Sequence, residues 1–327
     1  TKPEAYALYL QARYLTRQGT PEGYEQALEQ LAQALAMAPD YAPAWRQRGV
    51  IYMTQADRGL RATHEGFQLG REATGMALSI DPNNALAHAS MSRIAVSEDQ
   101  DLPAAARHMQ TALSLNPTDS TILSGAATLA ETLGRVDSAI ALQEFIAKRD
   151  PVQPIVHSNL GGSYIAAGRP EAAIPCYRTA LRLSPGSIGL HANLGLALLA
   201  SGETDAAMEE IARESYEACR LIAEVMAYHD RGQPTESDAA LAQMIDLYGD
   251  EWAYNIAAVL AYRDEADRAF EWLDKAVKNH DSGLIEIVTQ PEFKNLHGDP
   301  RWAGFLSGIG KSPEQLAAIE FEVKLPA

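Results

Sequence analysis

The chain has 327 residues, a formal net charge of −16 and two cysteines. An acidic chain repels phosphate backbones, which argues against a nucleic-acid partner. Cys176 and Cys219 are too few for a disulfide framework and lack metal-ligand spacing, and no apolar stretch approaches the ~20 residues that a membrane-spanning helix needs. We therefore expect no metal site, no cofactor and no membrane span in this chain.

Five prolines recur in the first half of the chain, in the similar phrases AMAPD, SIDPN, SLNPT, KRDPV and RLSPG. They are Pro39, Pro82, Pro117, Pro151 and Pro185. Their successive spacings are 43, 35, 34 and 34 residues. A period near 34 residues indicates one helix–turn–helix unit copied along the chain, and the abundance of alanine suits closely packed helices.

The predicted repeats cover most of the chain. In chain order they are 6–39, 42–82, 85–117, 120–151, 154–185, 188–214, 215–248 and 251–281. The second copy is about nine residues longer than the others, since its interval is 43 rather than 34 residues. We place the extra residues around 53–69, between the two helices of that copy.

The clearest unit is 154–185. Gly161 lies inside its first predicted helix, and Gly195 holds the same place in the next unit. A glycine inside a helix costs about 1 kcal/mol, so we expect a compensating close approach of the paired helix. Gly168 is predicted to end the first helix, because glycine readily adopts left-handed backbone angles.

The repeat signal weakens in the C-terminal third. Asp264 stands where the turn glycine is expected in the last copy. Residues 284–310 differ from every repeat, and solenoids need an atypical terminal unit, so this segment is predicted to cap the array. Residues 311–327 are predicted to form a short helix, which begins with a capping box of Ser312 and Gln315, and a tail.

These motif residues resemble those of the tetratricopeptide repeat family. The resemblance implies an all-α fold, a right-handed superhelical solenoid of about eight helix pairs over 1–283 with C-terminal capping helices. It also implies a non-catalytic scaffold that binds a peptide or a partner segment in a concave groove. The sequence agrees with this interpretation, since it contains no phosphate-binding loop, no HExxH pair and no GxSxG elbow.

A narrower resemblance concerns the C-terminal third, from SDAALAQMIDLYGDEW to the DPRW segment. It looks like the repeat tail of bacterial signalling proteins, in which a TolB-like segment and a repeat array follow a winged-helix DNA-binding domain or a nucleotide-cyclase domain. This resemblance implies the sensing or assembly arm of a bacterial regulator, with an output domain upstream of Thr1, often across a membrane. It favours the periplasm over the cytoplasm, and it assigns no DNA-binding or cyclase activity to these residues.

The first helices of the pairs are expected to line the groove. Counting from the motif glycines assigns to it Arg46, Val50, Arg93, Thr128, Ser158, Asn159, Ile165, Asn193, Leu196, Leu199, Met226 and Asn255. Residues 1–71 carry a net charge of +1 and residues 201–251 a net charge of −10. The basic end and the apolar middle predict an extended or helical peptide with apolar anchors. The acidic region is either a solvated surface or a docking surface for a basic segment.

An asparagine recurs at one motif position, as Asn159, Asn193 and Asn255. A carboxamide offers both donors and an acceptor, so these side chains could hold a peptide main chain without reading its sequence. The alternative is a local hydrogen bond between repeats.

A histidine recurs at another motif position, as His88, His157 and His191. Successive repeats hold such side chains roughly 10 Å apart, whereas zinc–nitrogen bonds are about 2 Å long. We therefore expect these histidines to pack the helix pairs rather than to bind a metal.

Two further functions remain open at this point. Leu196, Leu199, Ile222 and Met226 could line a cavity, which would make the chain a small-molecule or lipid carrier. The less regular region 214–250 could also join two copies of the chain into a homo-oligomer.

Overall fold

The computed structural model describes residues 2–325, and all regular secondary structure in this range is helical. The chain divides into two compact units. The first unit comprises the chain up to Leu129 together with the C-terminal stretch from Ile319, and the second unit is Ala130–Ala318. No helix within residues 2–325 is both long and apolar enough to cross a membrane.

Consecutive helices pack against each other in pairs joined by short turns. The first unit contains α1 (Pro3–Gln18), α2 (Pro21–Met37), α3 (Ala42–Asp57), α4 (Thr63–Ile80), α5 (Ala85–Ser97), α6 (Leu102–Leu115) and the start of α7 (Ser120–Thr132). The second unit contains the end of α7, then α8 (Val136–Arg149), α9 (Pro154–Ala166), α10 (Pro170–Leu183), α11 (Leu190–Ala200), α12 (Thr204–Ile211), α13 (Glu217–Asp230), α14 (Pro234–Tyr248), α15 (Ala253–Tyr262), α16 (Ala266–Lys278), the 3-10 helices Ser282–Ile285 and Pro291–Leu296, α17 (Pro300–Gly308) and α18 (Pro313–Ala317). The predicted all-α architecture of paired helices is confirmed.

The turns inside the pairs share one geometry. Gly168 has a φ of +67°, and the N–H of Arg169 donates to the carbonyl of Tyr164 at 2.8 Å. Asp264 has a φ of +61°, and the N–H of Glu265 donates to the carbonyl of Leu260 at 2.9 Å. The aspartate therefore takes the place of the expected glycine in the same turn, at a cost of roughly 1 kcal/mol for a residue with a Cβ.

The extra residues of the second repeat lengthen its helices. α3 has 16 residues and α4 has 18, whereas α9 and α10 have 13 and 14. The turn between α3 and α4 has five residues, 58–62, against three, 167–169, between α9 and α10. The prediction that the extra residues lie between the helices is therefore largely wrong. The two long helices stay in contact over their added length: a Cβ on Gly66 would lie only 2.6 Å from the Cβ of Ala56.

Glycines inside the first helices let the paired helices touch. A Cβ on Gly161 would lie 2.7 Å from Cε1 of Tyr177 in α10, and a Cβ on Gly195 would lie 2.5 Å from Cγ1 of Ile211 in α12. Both neighbours are buried. The predicted close approach is confirmed, because a larger residue at either glycine would overlap a core side chain.

The residues after α16 pack on α15. The side-chain amide of Asn295 donates to the backbone carbonyls of Ala261 and Tyr262, at 3.2 and 3.1 Å. The ring of Phe293 is fully buried, with its centroid 5.4 Å from that of Tyr254. The C-terminal segment is thus part of the hydrophobic core of the second unit.

The predicted capping box at the start of α18 is confirmed. Ser312 and Gln315 each accept a hydrogen bond from the other's backbone N–H, at 3.3 and 2.9 Å. Farther along, Phe321 is 6% exposed, and the N–H of Glu322 donates to Oε1 of Gln110 at 3.4 Å. The last two residues of the predicted tail lie outside the described residues.

Candidate partner-binding site

Arg46 on α3 carries an uncompensated charge in the first unit. Its side chain is half-buried, its Nε is buried without a hydrogen-bond partner, and it forms no ion pair within residues 2–325. Burial lowers the pKa of the guanidinium, and the neighbouring Arg13 lowers it further, while Tyr9 and Asp119 raise it. An arginine stays charged in proteins, so a partly desolvated cation lies here without a counter-ion.

The groups around Arg46 come from different helices. Arg13 and Tyr9 belong to α1; Arg13 is exposed, and its guanidinium carbon lies 5.8 Å from the centroid of the Tyr9 ring. Asp119 accepts hydrogen bonds from two backbone N–H groups at the start of α7, at 2.9 and 3.2 Å. The negative charge of Asp119 is therefore already stabilised by the N-terminus of α7. Sequence analysis missed these neighbours because no repeat motif relates them.

Arg93 and Val50 have partners within the first unit. Arg93 forms an ion pair with Asp57, and its guanidinium carbon lies 5.8 Å from the centroid of the Phe67 ring. Val50 is half-buried and packs against the cluster that contains Phe67. Of the two predicted arginines, only Arg46 lacks a partner in the described part of the chain.

The predicted groove residues of the second unit have different environments. Those that are half-buried or exposed are Ser158, Asn159, Ile165, Asn193, Leu196 and Asn255. Leu199 and Met226 are only 5% and 4% exposed, and they share one core cluster with Phe293 and Leu296 of the C-terminal segment. The prediction that Leu199 and Met226 face a partner does not fit this placement, because they complete a core.

The recurring asparagines are not tied to their own chain. The carboxamides of Asn159, Asn193 and Asn255 form no hydrogen bond with any other residue of the range 2–325. The interpretation as local links between repeats is therefore unsupported, and a role in holding a peptide stays a prediction. Thr128, the predicted groove residue on α7, is exposed.

Two sequence models described as tetratricopeptide repeats match the chain, over residues 97–154 and 164–218. Both matches fall on the helix pairs described above. The chain contains tetratricopeptide repeats over these two stretches. Repeats of this kind make it a scaffold for protein–protein interaction, in agreement with the resemblance found in the sequence. The TolB-like and winged-helix context is not part of these matches.

Solved structures share the fold of this tetratricopeptide repeat protein. The pilF protein of Pseudomonas aeruginosa is 19% identical, with a TM-score of 0.50 over 64% of this chain and 92% of that chain. A tetratricopeptide repeat protein of Parabacteroides merdae is 14% identical, with a TM-score of 0.50 over 82% and 99%. A monomeric mutant of human IFIT1 with Gppp-AAAA is 14% identical, with a TM-score of 0.61 over 79% and 68%. A search of curated proteins found no match.

One hydrogen bond recurs at the junctions between tetratricopeptide repeats. Trp45 donates its Nε1–H to the carbonyl of the proline six residues earlier at 2.8 Å, and Nε2 of His88 and of His157 lie 3.0 and 2.8 Å from the equivalent carbonyls. His191 differs, since its Nδ1 lies 2.8 Å from a carboxylate oxygen of Glu210. Within residues 2–325 no group of three or more potential ligands could hold a metal ion. The rings of Trp45, His88 and His157 therefore each link the first helix of a repeat to the proline turn that precedes it.

Proposed function

We propose that this scaffold binds a segment of a partner protein on the first helices of its first unit, and that Arg46 pairs with a carboxylate of that segment. The observation that carries this proposal is the half-buried, unpaired guanidinium of Arg46. Leaving a buried charge without a partner is costly. A guanidinium presents five N–H donors in a fork that matches a carboxylate, so an acidic side chain or a chain terminus suits it.

The surroundings of Arg46 favour an anionic partner group. Arg13 adds a second positive charge, and Tyr9 offers an aromatic surface beside it. Asp119 is the acidic neighbour, and its carboxylate is already engaged by backbone N–H groups. Within the second unit, and apart from Arg46, the side chains of Asn193 and Asn255 offer donors and acceptors of their own to a peptide main chain.

A protein partner fits the charge of the chain better than a nucleic acid. The IFIT1 structure contains Gppp-AAAA, but the net charge of −16 repels phosphate groups.

We also propose, from the resemblance of the C-terminal third, that the chain is the sensing or assembly arm of a bacterial regulator and acts in the periplasm. The proposed regulator role and the periplasmic location follow from the sequence pattern rather than from the fold.

The carrier alternative has less support. It needs an open cavity lined by Leu196, Leu199, Ile222 and Met226. Leu199 and Met226 are instead buried in the core of the second unit, and Leu196 and Ile222 pack against that core. A packed core has no room for a ligand unless the C-terminal segment moves.

Quantitative affinity purification from the native host tests the proposed function. Wild-type protein should retain a partner that the variant Arg46→Gln retains at least tenfold less well, which corresponds to about 1.4 kcal/mol. The control is Arg107→Gln, which removes the same charge from an exposed position on α6. Equal retention by both variants would remove Arg46 from the binding surface.

A further inference from the structure

Three glutamates cluster in the second unit. Glu131 lies in the last turn of α7, Glu286 lies between the two 3-10 helices, and Glu292 lies in the second of them. Burial raises the pKa of all three carboxyl groups, and Glu286 raises the pKa of both Glu131 and Glu292. They therefore share one electrostatic environment, although they are far apart in the sequence.

Two buried oxygen atoms in the same region have no hydrogen-bond partner within the described residues, namely Oε2 of Glu292 and the hydroxyl of Tyr254. Tyr254 lies near both Glu286 and Glu292. The hydroxyl of Ser163 lies beside Glu131 and lowers the pKa of that carboxyl group as a hydrogen-bond donor, and Gln290 does the same for Glu292. Buried polar atoms in proteins nearly always have partners. This group of atoms points to a ligand that supplies donors.

The chain supplies one cation to this region. The Nζ of Lys311 donates to the carbonyl of Ile285 at 3.0 Å, and burial lowers the pKa of this lysine to about 8, against the effect of Glu286. Within residues 2–325, Glu131, Glu286 and Glu292 form no ion pair. The three carboxylates thus receive hydrogen bonds from Ser163 and Gln290 and the more distant charge of Lys311, but no ion-pair contact within the described residues.

We propose that this acidic cluster (Glu131, Glu286 and Glu292, with Tyr254 and Ser163) binds an organic ammonium group, either the end of a lysine side chain or one end of a polyamine. An ammonium has three donors and no acceptor, which complements unpartnered oxygen atoms. The glutamates do not converge as metal ligands do, since no described group could hold a metal ion. The charge of the unit agrees: residues 130–318 contain 16 Lys and Arg against 28 Asp and Glu.

A ligand can reach the cluster from solvent. Glu286 is exposed as a whole residue, although desolvation of its carboxyl group raises the pKa of that group. Glu131 is half-buried, whereas Glu292 and Tyr254 are only 9% and 3% exposed. Glu286 is therefore the member of the cluster that solvent reaches most easily. This site lies in the second unit, so it is separate from Arg46 and does not depend on the function proposed above.

The cluster also predicts a proton linkage. Because the pKa values of these carboxyl groups are raised, they take up protons at a higher pH than ordinary glutamates do, and an ammonium favours their ionised form. Binding must therefore release protons and become stronger as the pH rises through the raised pKa values. Lys311, Asp281 and Tyr254 also face Glu286 or its neighbours, and of these only Lys311 opposes the shift.

Isothermal titration calorimetry of the full chain tests this proposal. The probes are cadaverine and Nα-acetyl-lysine amide, with 1,5-pentanediol as the uncharged control at matched ionic strength. We expect saturable binding of at least one amine, none of the diol, and proton release at pH 5.5, detected by comparing buffers of different ionisation enthalpy. Binding of both amines indicates a lysine side chain as the natural ligand, and binding of cadaverine alone indicates a polyamine.

Variants make the test specific to the cluster. Glu286→Gln, at an exposed position that tolerates substitution, should weaken amine binding about tenfold or more, and Tyr254→Phe should weaken it without a change of charge. Glu171→Gln removes one exposed charge from the same unit, and Arg46→Gln alters only the first unit; both should bind the amine as the wild type does. No saturable binding at millimolar amine, or unchanged binding by Glu286→Gln, would overturn the proposal and assign the unpartnered oxygens to water.

Discussion

At the scale of single residues, two adjacent glycines in α9 have different roles. Gly161 faces Tyr177 so closely that a Cβ would lie 2.7 Å from Cε1 of the ring. Gly162 has open space, since the nearest atom to its Cβ position is the Tyr177 hydroxyl at 4.0 Å. Helix propensity disfavours both equally, so only packing distinguishes them.

We expect Gly161→Ala to destabilise the protein by about 1–3 kcal/mol, because overpacking must displace a buried ring. Gly162→Ala should stabilise it by up to about 1 kcal/mol through helix propensity alone. Denaturation midpoints in urea measure both effects. If the two variants shift the midpoint in the same direction, the close contact with Tyr177 does not govern this helix pair.

A histidine pair in the first unit predicts a pH dependence. Nδ1 of His88 and Nδ1 of His108 lie 3.2 Å apart. Burial lowers the pKa of His108, and His88 and Arg107 lower it further. The unfolded state therefore binds more protons, and the contribution of this group to stability is lost as the pH falls through about 6.5.

Lowering the pH from 7.5 to 5.5 should thus reduce the melting temperature of the wild type more than that of His108→Gln, which cannot be protonated. Thermal unfolding at both pH values measures the difference. Equal reductions in the two proteins would show that protonation of His108 does not destabilise the folded state.

The residues around Arg46 illustrate what sequence analysis can predict. The glycine and proline signals act locally, so the roles of Gly161, Gly168 and the capping box of Ser312 could be predicted from neighbouring residues in the sequence. The lack of a partner at Arg46 depends on side chains from α1, from α3 and from Asp119 just before α7, which only the folded chain brings together. The same reason explains why the burial of Met226 was not foreseen.

At the scale of elements, the turn between α15 and α16 shows how the family pattern tolerates change. Asp264 adopts left-handed angles that glycine adopts at no steric cost, and its turn keeps the same hydrogen bond. The sequence indicates the turn, although its usual residue is missing. It does not indicate the lengths of α3 and α4, because an insertion can extend either a helix or a loop.

Asp264→Gly should stabilise the protein by about 0.5–1 kcal/mol, since it removes the strain at a φ of +61°. Gly168→Ala is the reverse control: its φ is +67° and no atom lies within 4 Å of the added Cβ, so it should cost about 1 kcal/mol from backbone strain alone. Chemical denaturation compares the two. A destabilised Asp264→Gly would mean that the aspartate side chain contributes more than the strain costs.

At the scale of the whole molecule, the chain enters the first unit twice. Its N-terminal helices and the stretch from Ile319 belong to that unit, with Phe321 buried and Glu322 bonded to Gln110. The repeat period does not predict this return, because the stretch lies beyond the last repeat.

Phe321→Ala should destabilise the first unit by about 3 kcal/mol, the usual cost of removing a buried phenylalanine ring. Hydrogen–deuterium exchange should then become faster in α6 and unchanged in α15 and α16 of the second unit. Glu320→Ala, at an exposed neighbouring position, is the control and should change neither. Equal acceleration in both units would contradict the division of the chain at this stretch.

The most direct test of the proposed scaffold is photo-cross-linking from a defined face. A photoreactive amino acid at Thr128, an exposed first-helix position of the first unit, should capture a partner protein in the native host, and the same amino acid at Arg107 on α6 should not. The cross-link from Thr128 should disappear when Arg46 is replaced by Gln. Capture from Arg107 alone, or capture from Thr128 that persists without Arg46, would contradict binding on the first helices through that arginine.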